Sequence, residues 1–259
     1  MIAAALLLSA CRTGRNYPET DAPRHAGGEP TRTACGSPCT FRVASFNIAF
    51  SRNIDDAIEL LRSDSSLNGA DVLLLQEMDA EGTGKIADAL GMSYVYYPAI
   101  FHRLTRKDFG NAVLSRWPIV DDDRLTLPHS SRYAGTRRIA AAATVRVDGR
   151  RIRVYSTHLG TPADITSRDR RAQLAAIIED AECCELAIIG GDMNDETTGQ
   201  FAESAGYLWL TQTGPRTARG GRLDHIFLKG MRRALGAGTV TQSRGVSDHH
   251  PVWAAVTFD

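Results

Sequence analysis

The stretch of the chain that offers the most chemistry is 186–196, which reads LAIIGGDMNDE. Its four apolar residues run into two glycines, the pattern of a buried strand that ends in a tight turn. Asp192, Asn194 and Asp195 follow directly. Carboxylate and amide oxygens pack poorly at such a place, but they are good ligands for a metal ion or a reacting water. The alternative is an ordinary capped turn, because Asp and Asn are also common turn residues.

Polar side chains stand at the ends of several other predicted strands. The set comprises Asn47, Glu77, His158, Asp192, Asn194, Asp224, Asp248 and His249. Each one has a structural alternative, such as a turn cap, a surface ion pair or a buried histidine whose hydrogen bonds are satisfied. Because the ends of strands at one edge of a sheet present binding and catalytic groups, the set as a whole predicts one polar site.

The elements that must position these residues change in kind along the chain. Early on, a strand at 71–75 (DVLLL) lies between a predicted helix at 54–61 and a shorter one at 85–90. Hairpins dominate the middle, where Asp148-Gly149 gives a strong turn signal. A helix over 165–181 and a final strand over 251–258 complete the pattern. This mixture predicts an α+β fold with mixed sheets and outer helices, and it argues against a purely parallel sheet.

Composition limits the class of protein. The chain has 259 residues, of which 43% are hydrophobic and 23% charged, as expected for a soluble protein of one large domain or two small ones. The formal net charge is zero. This argues against a protein that coats nucleic acid by bulk charge alone, although a local basic cleft is still compatible with it.

The first residues, MIAAALLLSAC, form a short apolar run that ends in small residues, as a secretory signal does. Leu8-Ser9-Ala10-Cys11 resembles the lipobox of bacterial lipoproteins, which predicts a lipidated Cys11 at the mature N-terminus and membrane anchoring at the cell envelope. The sequence departs from that pattern in having no basic residue before the apolar run. The alternative is a chance cysteine in a short apolar start. The run is too short to span a bilayer as a helix.

Residues 12–40 contain four prolines and a Gly-Gly pair but almost no apolar periodicity. This composition predicts a flexible tether. Cys35 and Cys39 lie at its end, and outside the cytoplasm they are expected to form a disulfide. Metal binding is the alternative, although two sulfurs alone make a poor zinc site.

The motifs of residues 41–259 resemble, in order, those of the endonuclease/exonuclease/phosphatase superfamily, which includes pancreatic-type deoxyribonucleases, abasic-site endonucleases, neutral sphingomyelinases and inositol-phosphate phosphatases. The matching motifs are Phe46-Asn47, Gln76-Glu77, Gly110 to Ser115, Thr157-His158-Leu159, Gly191 to Asn194, Leu223 to Ile226 and Ser247-Asp248-His249. The resemblance implies a DNase-like four-layer sandwich of two mixed β-sheets flanked by helices. It is specific for the superfamily and not for a substrate.

Hydrolysis of a phosphate ester needs an activated water, neutralised phosphoryl charge and a stabilised leaving group. The resemblance implies a hydrolase that uses Mg²⁺, with Mn²⁺ as the alternative, and it leaves the number of ions open. Glu77 is the first candidate metal ligand, with Asn47 and Asp248 nearby, because a hard cation prefers oxygen ligands.

The remaining candidate residues act on the water and on the phosphate. His249 and Asp224 form a candidate general-base pair, in which the carboxylate fixes the tautomer of the imidazole. The resemblance implies that Asp192 orients or activates the water, so the identity of the base stays open between Asp192 and His249. Candidate contacts to the phosphate are His158, Asn194, Arg138 and, more weakly, Asn111.

Several substrates and one non-enzymatic role compete. Nuclease-like hydrolysis of a phosphodiester is the main expectation, supported by local basic residues at Arg103, Arg106, Lys107, Arg137 and Arg138. A phospholipid or sphingomyelin phosphodiesterase would expose an apolar hairpin, and 94–101 (YVYYPAIF) offers one unless it is a buried strand. An inositol-phosphate phosphatase is a further alternative. A non-catalytic binding module would be expected to lack some site residues, and none is missing. We expect a monomer.

Overall fold

Two β-sheets packed face to face form the centre of the structure, a computed structural model that describes residues 14–17, 22–36, 38–231, 233–243 and 245–257. The strands are, in chain order, β1 (Gly14–Asn16), β2 (His25–Gly27), β3 (Thr40–Asn47), β4 (Val72–Met78), β5 (Ser93–His102), β6 (Lys107–Ser115), β7 (Ile119–Thr126), β8 (Ile139–Val147), β9 (Arg150–His158), β10 (Leu186–Asp192), β11 (Leu208–Trp209), β12 (Asp224–Lys229), β13 (Arg233–Thr239) and β14 (Val252–Thr257). The helices are α1 (Ile54–Ser63), α2 (Ala80–Leu90), α3 (Ser167–Asp180) and α4 (Thr198–Ser204), with a 3₁₀ turn at Thr241–Ser243.

Each sheet is mixed. The first has eight strands in the order β1-β5-β6-β4-β3-β14-β13, with β2 also paired to β5. The second has six strands in the order β11-β12-β10-β9-β8-β7. Each contains a parallel pair near its centre, β3 with β4 and β9 with β10. The two parallel pairs end at the same edge of the sandwich, where the predicted site residues lie.

Three apolar layers hold the sandwich together. The central layer lies between the sheets and contains Leu74, Trp117 and Ile188, each at most 1% exposed. A second layer packs α1 and α2 on the first sheet, and a third packs α3 and α4 on the second. Burial of these faces is the main favourable contribution to folding. The α+β four-layer sandwich predicted from the sequence is confirmed.

Caps define both ends of α2 and the start of α3. The Asp79 carboxylate accepts a 2.7 Å hydrogen bond from the amide of Gly82 at the start of α2. Gly91 ends the same helix in a left-handed conformation with φ of 61°. At the start of α3, Thr166 and Asp169 form a reciprocal capping box. The helix predicted at 85–90 is therefore five residues longer at its start than the sequence indicated.

The predicted tether at 12–40 differs from the structure over the part that is described. Strand β1 pairs with β5 through Gly14 and His102, and β2 pairs with β5 through His25 and Tyr96. Each of these strands has only three residues. That is too few for an alternating apolar pattern to be recognised in the sequence. The strands β1 and β2 in this segment are thus part of the domain and not of a free linker. The predicted signal and Cys11 lie outside the described residues.

Two further sequence predictions concern the cysteine pair Cys35 and Cys39 and the apolar stretch 94–101. Cys35 and Cys39 form a disulfide, as the sequence predicts, and the amide of Cys35 donates to the carboxylate of Asp148. The apolar stretch at 94–101 is an inner part of β5, with Tyr96 fully buried, so it does not supply an exposed hairpin. Within the described residues, no helix is both long and apolar enough to cross a membrane.

Candidate active site

The site lies where strands of the two sheets end next to each other. Register pairs Asp192 with His158 on one side and with Asp224 on the other, so adjacent strands of the second sheet present all three side chains together. Asn47 ends β3 in the facing sheet. Its Nδ2 atom donates a hydrogen bond to Oδ2 of Asp192 at 3.2 Å, which connects the two sheets.

Glu77 occupies a strained position in β4. Its φ is 58°, in the left-handed region, and the register of β4 against β6 shifts between Gln76 and Met78. This bulge turns the Glu77 side chain toward the facing sheet. Asn47 Nδ2 donates to Oε1 of Glu77 at 3.3 Å, and Nδ1 of His158 lies 3.8 Å from the same oxygen. A residue held in a sparsely populated conformation at a polar cleft is typical of a functional site.

The electrostatics of Glu77 favour a bound cation. Burial raises the pKa of its carboxyl group, and the hydrogen bond from Asn47 only partly opposes this. His158, the nearest titratable nitrogen, is buried, and burial together with the charge of Arg138 lowers its pKa well below the usual value. His158 is thus neutral at pH 7 and cannot neutralise Glu77. Its Nδ1 is buried without a hydrogen-bond partner among the described residues. A buried carboxylate suits a hard divalent cation, which prefers oxygen ligands.

Asp192 lies at the centre of the site and is 1% exposed. Its Oδ2 atom is 3.3 Å from Nε2 of His158 and 3.6 Å from Nε2 of His249, and its Oδ1 accepts from the amide of Asn194 at 2.9 Å. Burial and the nearby carboxylate of Asp224 raise the pKa of Asp192 to about 7. Such a carboxylate is a competent proton acceptor near neutral pH.

His249 is held as a cation by a second carboxylate. Its Nδ1 lies 2.8 Å from Oδ2 of Asp224, a residue that is 1% exposed. Burial opposes the charged imidazolium, but Asp224 and Asp192 outweigh it and raise the pKa of His249 to about 10. Asp192, Asp224 and His249 also place one oxygen or nitrogen each within 4.8 Å of the others, so this buried cluster could itself hold a metal ion.

The loop that carries His249 is tied to the first sheet. Ser247 Oγ donates to the backbone carbonyl of Asn47 at 2.7 Å and accepts from the amide of His249 at 3.1 Å. Asp248, between them, is exposed, and its only described hydrogen-bond contact is Ser247 Oγ at 3.5 Å. Its charge is nevertheless close enough to act on the pKa of Glu77. The structure therefore places Asp248 at the rim of the site.

The residues predicted to contact the phosphate differ in the hydrogen bonds that their side chains already form. Arg138 has no hydrogen bond or ion pair among the described residues, and its guanidinium lies 6.0 Å from the centre of the Phe109 ring. Asn194 has a φ of 52° and donates one N–H to the carbonyl of Leu159 at 3.1 Å, which leaves a second N–H. Asn111 is 3% exposed, and its Nδ2 donates to the carbonyl of Ile139 at 2.9 Å. That bond joins the two sheets, so at least one N–H of Asn111 supports the scaffold.

Two buried polar supports lie beneath the site, and the pattern of polar residues at strand ends does not predict their role. Gln76 is fully buried between the sheets, where its Nε2 donates to Ser156 Oγ at 3.0 Å and its Oε1 accepts from Ser45 Oγ at 3.3 Å. Asp195 forms a buried ion pair with Arg170, whose Nη2 lies 3.1 Å from Oδ2 of Asp195. The first fixes the strand before Glu77, and the second fixes the loop after Asp192. A glutamine or arginine in an apolar segment is the signal that could have pointed to them.

Comparison with known proteins identifies similar solved structures and one matching family. No curated protein matches it. Among solved structures, it is similar to an endonuclease/exonuclease/phosphatase from Beutenbergia cavernae at 19% identity, with a TM-score of 0.70 over 85% of this chain and 72% of the other. It is similar to the human Nocturnin catalytic domain with a bound sulfate at 20% identity, with a TM-score of 0.68 over 91% and 98%.

A third similar structure is sphingomyelinase C from Streptomyces griseocarneus, at 16% identity, with a TM-score of 0.64 over 83% of this chain and 99% of the other. Identities this low establish the shared fold and not the substrate. The model of the Endonuclease/Exonuclease/phosphatase family matches residues 44–249, which include all eight strand-end site residues. Since this match covers most of the chain, the protein belongs to the endonuclease/exonuclease/phosphatase family.

Proposed function

We propose that the protein is a Mg²⁺-dependent phosphodiesterase of nuclease type. The observation that carries this proposal is the continuous set Asp224–His249–Asp192, which lies across the gap from Glu77 at the edge of both sheets. It combines a proton acceptor, a fixed cation and a carboxylate that suits a metal ion. Those are the groups that hydrolysis of a phosphate ester requires.

Asp192 is our candidate base. Its pKa of about 7 lets its carboxylate take a proton from a water molecule near neutral pH, while His249, with a pKa of about 10, already carries its proton. The water oxygen attacks phosphorus, the ester P–O bond breaks, and the leaving oxygen keeps the bonding electrons and takes a proton from solvent. The imidazolium of His249 and the guanidinium of Arg138 offset charge on the phosphoryl oxygens.

Glu77 would hold the metal ion with Asn47, and Asp248 at the rim supplies further negative charge. When bound, Mg²⁺ would neutralise charge on the phosphoryl oxygens. Asn47 presents Nδ2 to Glu77 here, and its Oδ1 accepts a hydrogen bond from the amide of Ala49, so Asn47 would have to give up that bond to reach a metal ion through its oxygen. His158 and Asn194 are the neutral donors available to the phosphoryl oxygens.

Nucleic acid is favoured over lipid by the charge around the cleft. The tip of the β5–β6 hairpin carries Arg103 and Arg106, both exposed, and Arg137 is exposed beside Arg138. A lipid substrate is supported by two exposed apolar side chains, Leu104 at 79% and Tyr133 at 73%. Both are single residues amid charged ones, so we place lipid hydrolysis second. An inositol-phosphate phosphatase and a non-catalytic binding module are the remaining alternatives.

The test is turnover of bis-p-nitrophenyl phosphate by the purified protein with and without Mg²⁺. We expect hydrolysis that depends on the metal, and absence of turnover would favour the binding module. A panel of DNA, sphingomyelin vesicles and inositol phosphates then separates the substrate classes. We also propose that the protein is exported and anchored in the cell envelope by a lipid on Cys11, which the motif at 8–11 supports.

A further inference from the structure

A cavity of about 160 Å³ adjoins the candidate active site on the side of the first sheet. Its lining includes Phe50, Ile100, His102, Phe109, Arg137 and Asp164. Arg138 also lines it and lies over the Phe109 ring, and the Phe109 ring centre is 6.0 Å from that of His158. A group attached to a phosphate held by Arg138 and His158 would therefore extend into this cavity.

The wall of the cavity is built from aromatic rings. The Phe50 ring centre lies 5.0 Å from that of Phe109 and 5.2 Å from that of His102. The guanidinium of Arg52 covers Phe50 at 5.0 Å from its ring centre. Phe50 and Phe109 are only partly buried, so their rings retain accessible surface. Ring separations of this size are direct aromatic contacts, so the rings form one apolar wall, and Phe50 and Phe109 both line the cavity.

The backbone that presents Phe50 is strained. Ala49, Phe50 and Ser51 are three consecutive non-glycine residues with φ of 46°, 62° and 52°. This conformation is sparsely populated by residues with a side chain, and it persists only where the surroundings impose it. One constraint is the hydrogen bond from the amide of Ala49 to Oδ1 of Asn47, at 3.1 Å. The same residue thus orders the Glu77 carboxylate and the loop that carries Phe50.

The polar edge of the cavity suits a heterocycle better than an acyl chain. His102 is neutral at pH 7, because burial and the charge of Arg52 lower its pKa, and its Nδ1 accepts from the amide of Thr105 at 3.3 Å. The proton of the neutral ring is therefore on Nε2. Asp164 is held by hydrogen bonds from Ser131 and Thr161 at 2.6 and 3.0 Å. The cavity is well below the roughly 300–1,000 Å³ of pockets for drug-sized ligands, so it accommodates about one ring system.

We propose that this cavity binds the base of a nucleoside esterified to the scissile phosphate, an inference that rests on the proposed phosphodiesterase activity. The base stacks against Phe50 and Phe109, and the phosphate lies at Arg138. Because every base has a π-face, stacking of this kind depends little on which base is present. The site therefore selects nucleotides over other phosphodiesters while it discriminates weakly between bases.

The test compares esters that share one leaving group. Wild-type protein with Mg²⁺ is given the 3′- and 5′-(p-nitrophenyl) phosphates of thymidine and, as reference, methyl p-nitrophenyl phosphate. We expect kcat/KM for at least one thymidine ester to exceed that for the methyl ester by about tenfold or more, the scale of one stacked base. Phe50→Leu should lose most of this preference and leave turnover of the methyl ester unchanged, which also shows that the variant is folded.

Two further variants serve as controls. Phe50→Tyr keeps a ring at this position and should keep the preference. Tyr133→Leu removes an aromatic ring that is 73% exposed and outside the cavity lining, and it should change nothing. Binding of thymidine 5′-monophosphate, measured by calorimetry against methyl phosphate, gives a readout that does not require turnover.

The outcomes separate the inference from the proposed function. Turnover of all esters without a thymidine preference, together with equal binding of the two monophosphates, overturns the inference and leaves the phosphodiesterase in place. No turnover of any ester, with thymidine monophosphate binding that Phe50→Leu weakens, overturns the proposed function and supports the base site. Preferred hydrolysis of sphingomyelin vesicles at a rate that Phe50→Leu does not alter also overturns the inference.

Discussion

The side-chain amide of Asn47 donates a 3.2 Å hydrogen bond to Asp192, a residue 145 positions further along the chain. The two residues end strands of different sheets. The same amide nitrogen lies 3.3 Å from Glu77. One side chain therefore links the carboxylate proposed to hold the metal ion to the carboxylate proposed as the base. The roles of these two carboxylates can be tested separately.

Replacing Glu77 should weaken metal binding. We expect Glu77→Gln, which keeps the shape and removes the charge, to raise the dissociation constant for Mg²⁺ by at least about tenfold, the lower end of what loss of a supporting group costs a metal site. Calorimetric titration with Mg²⁺ measures this. Glu81→Gln is the matched control, because the Glu81 side chain is 73% exposed and forms a surface ion pair with Lys85. Full wild-type activity in excess chelator would contradict a role for any metal ion.

Substitutions of the three residues around the proposed water should lower kcat to different extents. We expect Asp192→Asn and His249→Ala each to lower kcat by about 10²-fold or more, the scale for loss of a general base or a charge-stabilising group. Asp224→Asn should cost less, because Asp224 acts through His249. Steady-state kinetics with bis-p-nitrophenyl phosphate provides the measurement, and His129→Ala, at an exposed histidine, is the control. If the three site variants kept wild-type rates, the assignment of the base would be wrong.

The His249–Asp224 pair should make stability depend on pH. In the folded protein the pKa of His249 is raised from 6.5 to about 10, so the folded state binds the proton more tightly than the unfolded state. The resulting stabilisation is fully present below pH 6.5 and is lost as pH rises through about 10, with a slope of at most about 1.4 kcal/mol per pH unit. Urea unfolding of wild type and His249→Asn in chelator, from pH 6 upward, measures the difference. A difference that is independent of pH would refute the charged state of His249.

Gly191 should tolerate no side chain. Its φ is 152°, and a Cβ atom there would lie 1.8 Å from the carbonyl oxygen of Thr157 on the neighbouring strand. We expect Gly191→Ala to destabilise the protein by about 3 kcal/mol or more, which corresponds to a fall in Tm of roughly 6–12 °C. Thermal unfolding followed by circular dichroism measures this. Gly36→Ala, where nothing lies within 4 Å of the added carbon, should leave Tm unchanged; equal effects of the two substitutions would be inconsistent with the close approach at Gly191.

Lipidation at Cys11 remains a prediction from sequence. We expect the full chain expressed in a bacterium to partition into the membrane fraction, and Cys11→Ser to release it or leave it unprocessed. Cell fractionation combined with the intact mass of the mature N-terminus tests both. An unmodified Cys11 with Met1 still attached would refute the proposal. Because β1 begins at Gly14, the described segment does not provide the long free spacer that its composition indicated.

The sequence predicted the mixed sheets and the grouping of polar residues at strand ends for one physical reason. Both depend on apolar strands that end in polar residues, and this pattern is local: DVLLL before Glu77 and LAIIGG before Asp192 can be read without knowing their neighbours. The structure brings these residues together because the strands are adjacent in two facing sheets.

What the sequence could not provide depends on neighbours distant in the chain. The bulge and positive φ at Glu77 arise from the register of β4 against β6. The pKa values of Asp192 and His249 depend on burial and on Asp224, and no spacing pattern reports those. Strands β1 and β2 are too short to show periodicity, and the aromatic cavity joins Phe50 to Phe109 across 59 positions.

Strand β14, made from the last residues of the described chain, lies inside its sheet between β3 and β13. The loop before it carries His249 and, through Ser247, is hydrogen-bonded to Asn47 at a separation of 200 positions. Neither the first sheet nor the proposed catalytic site is complete without this strand and loop, because β14 pairs with both β3 and β13. These pairings join residues far apart in the sequence, so we expect their formation to be a late and slow step of folding.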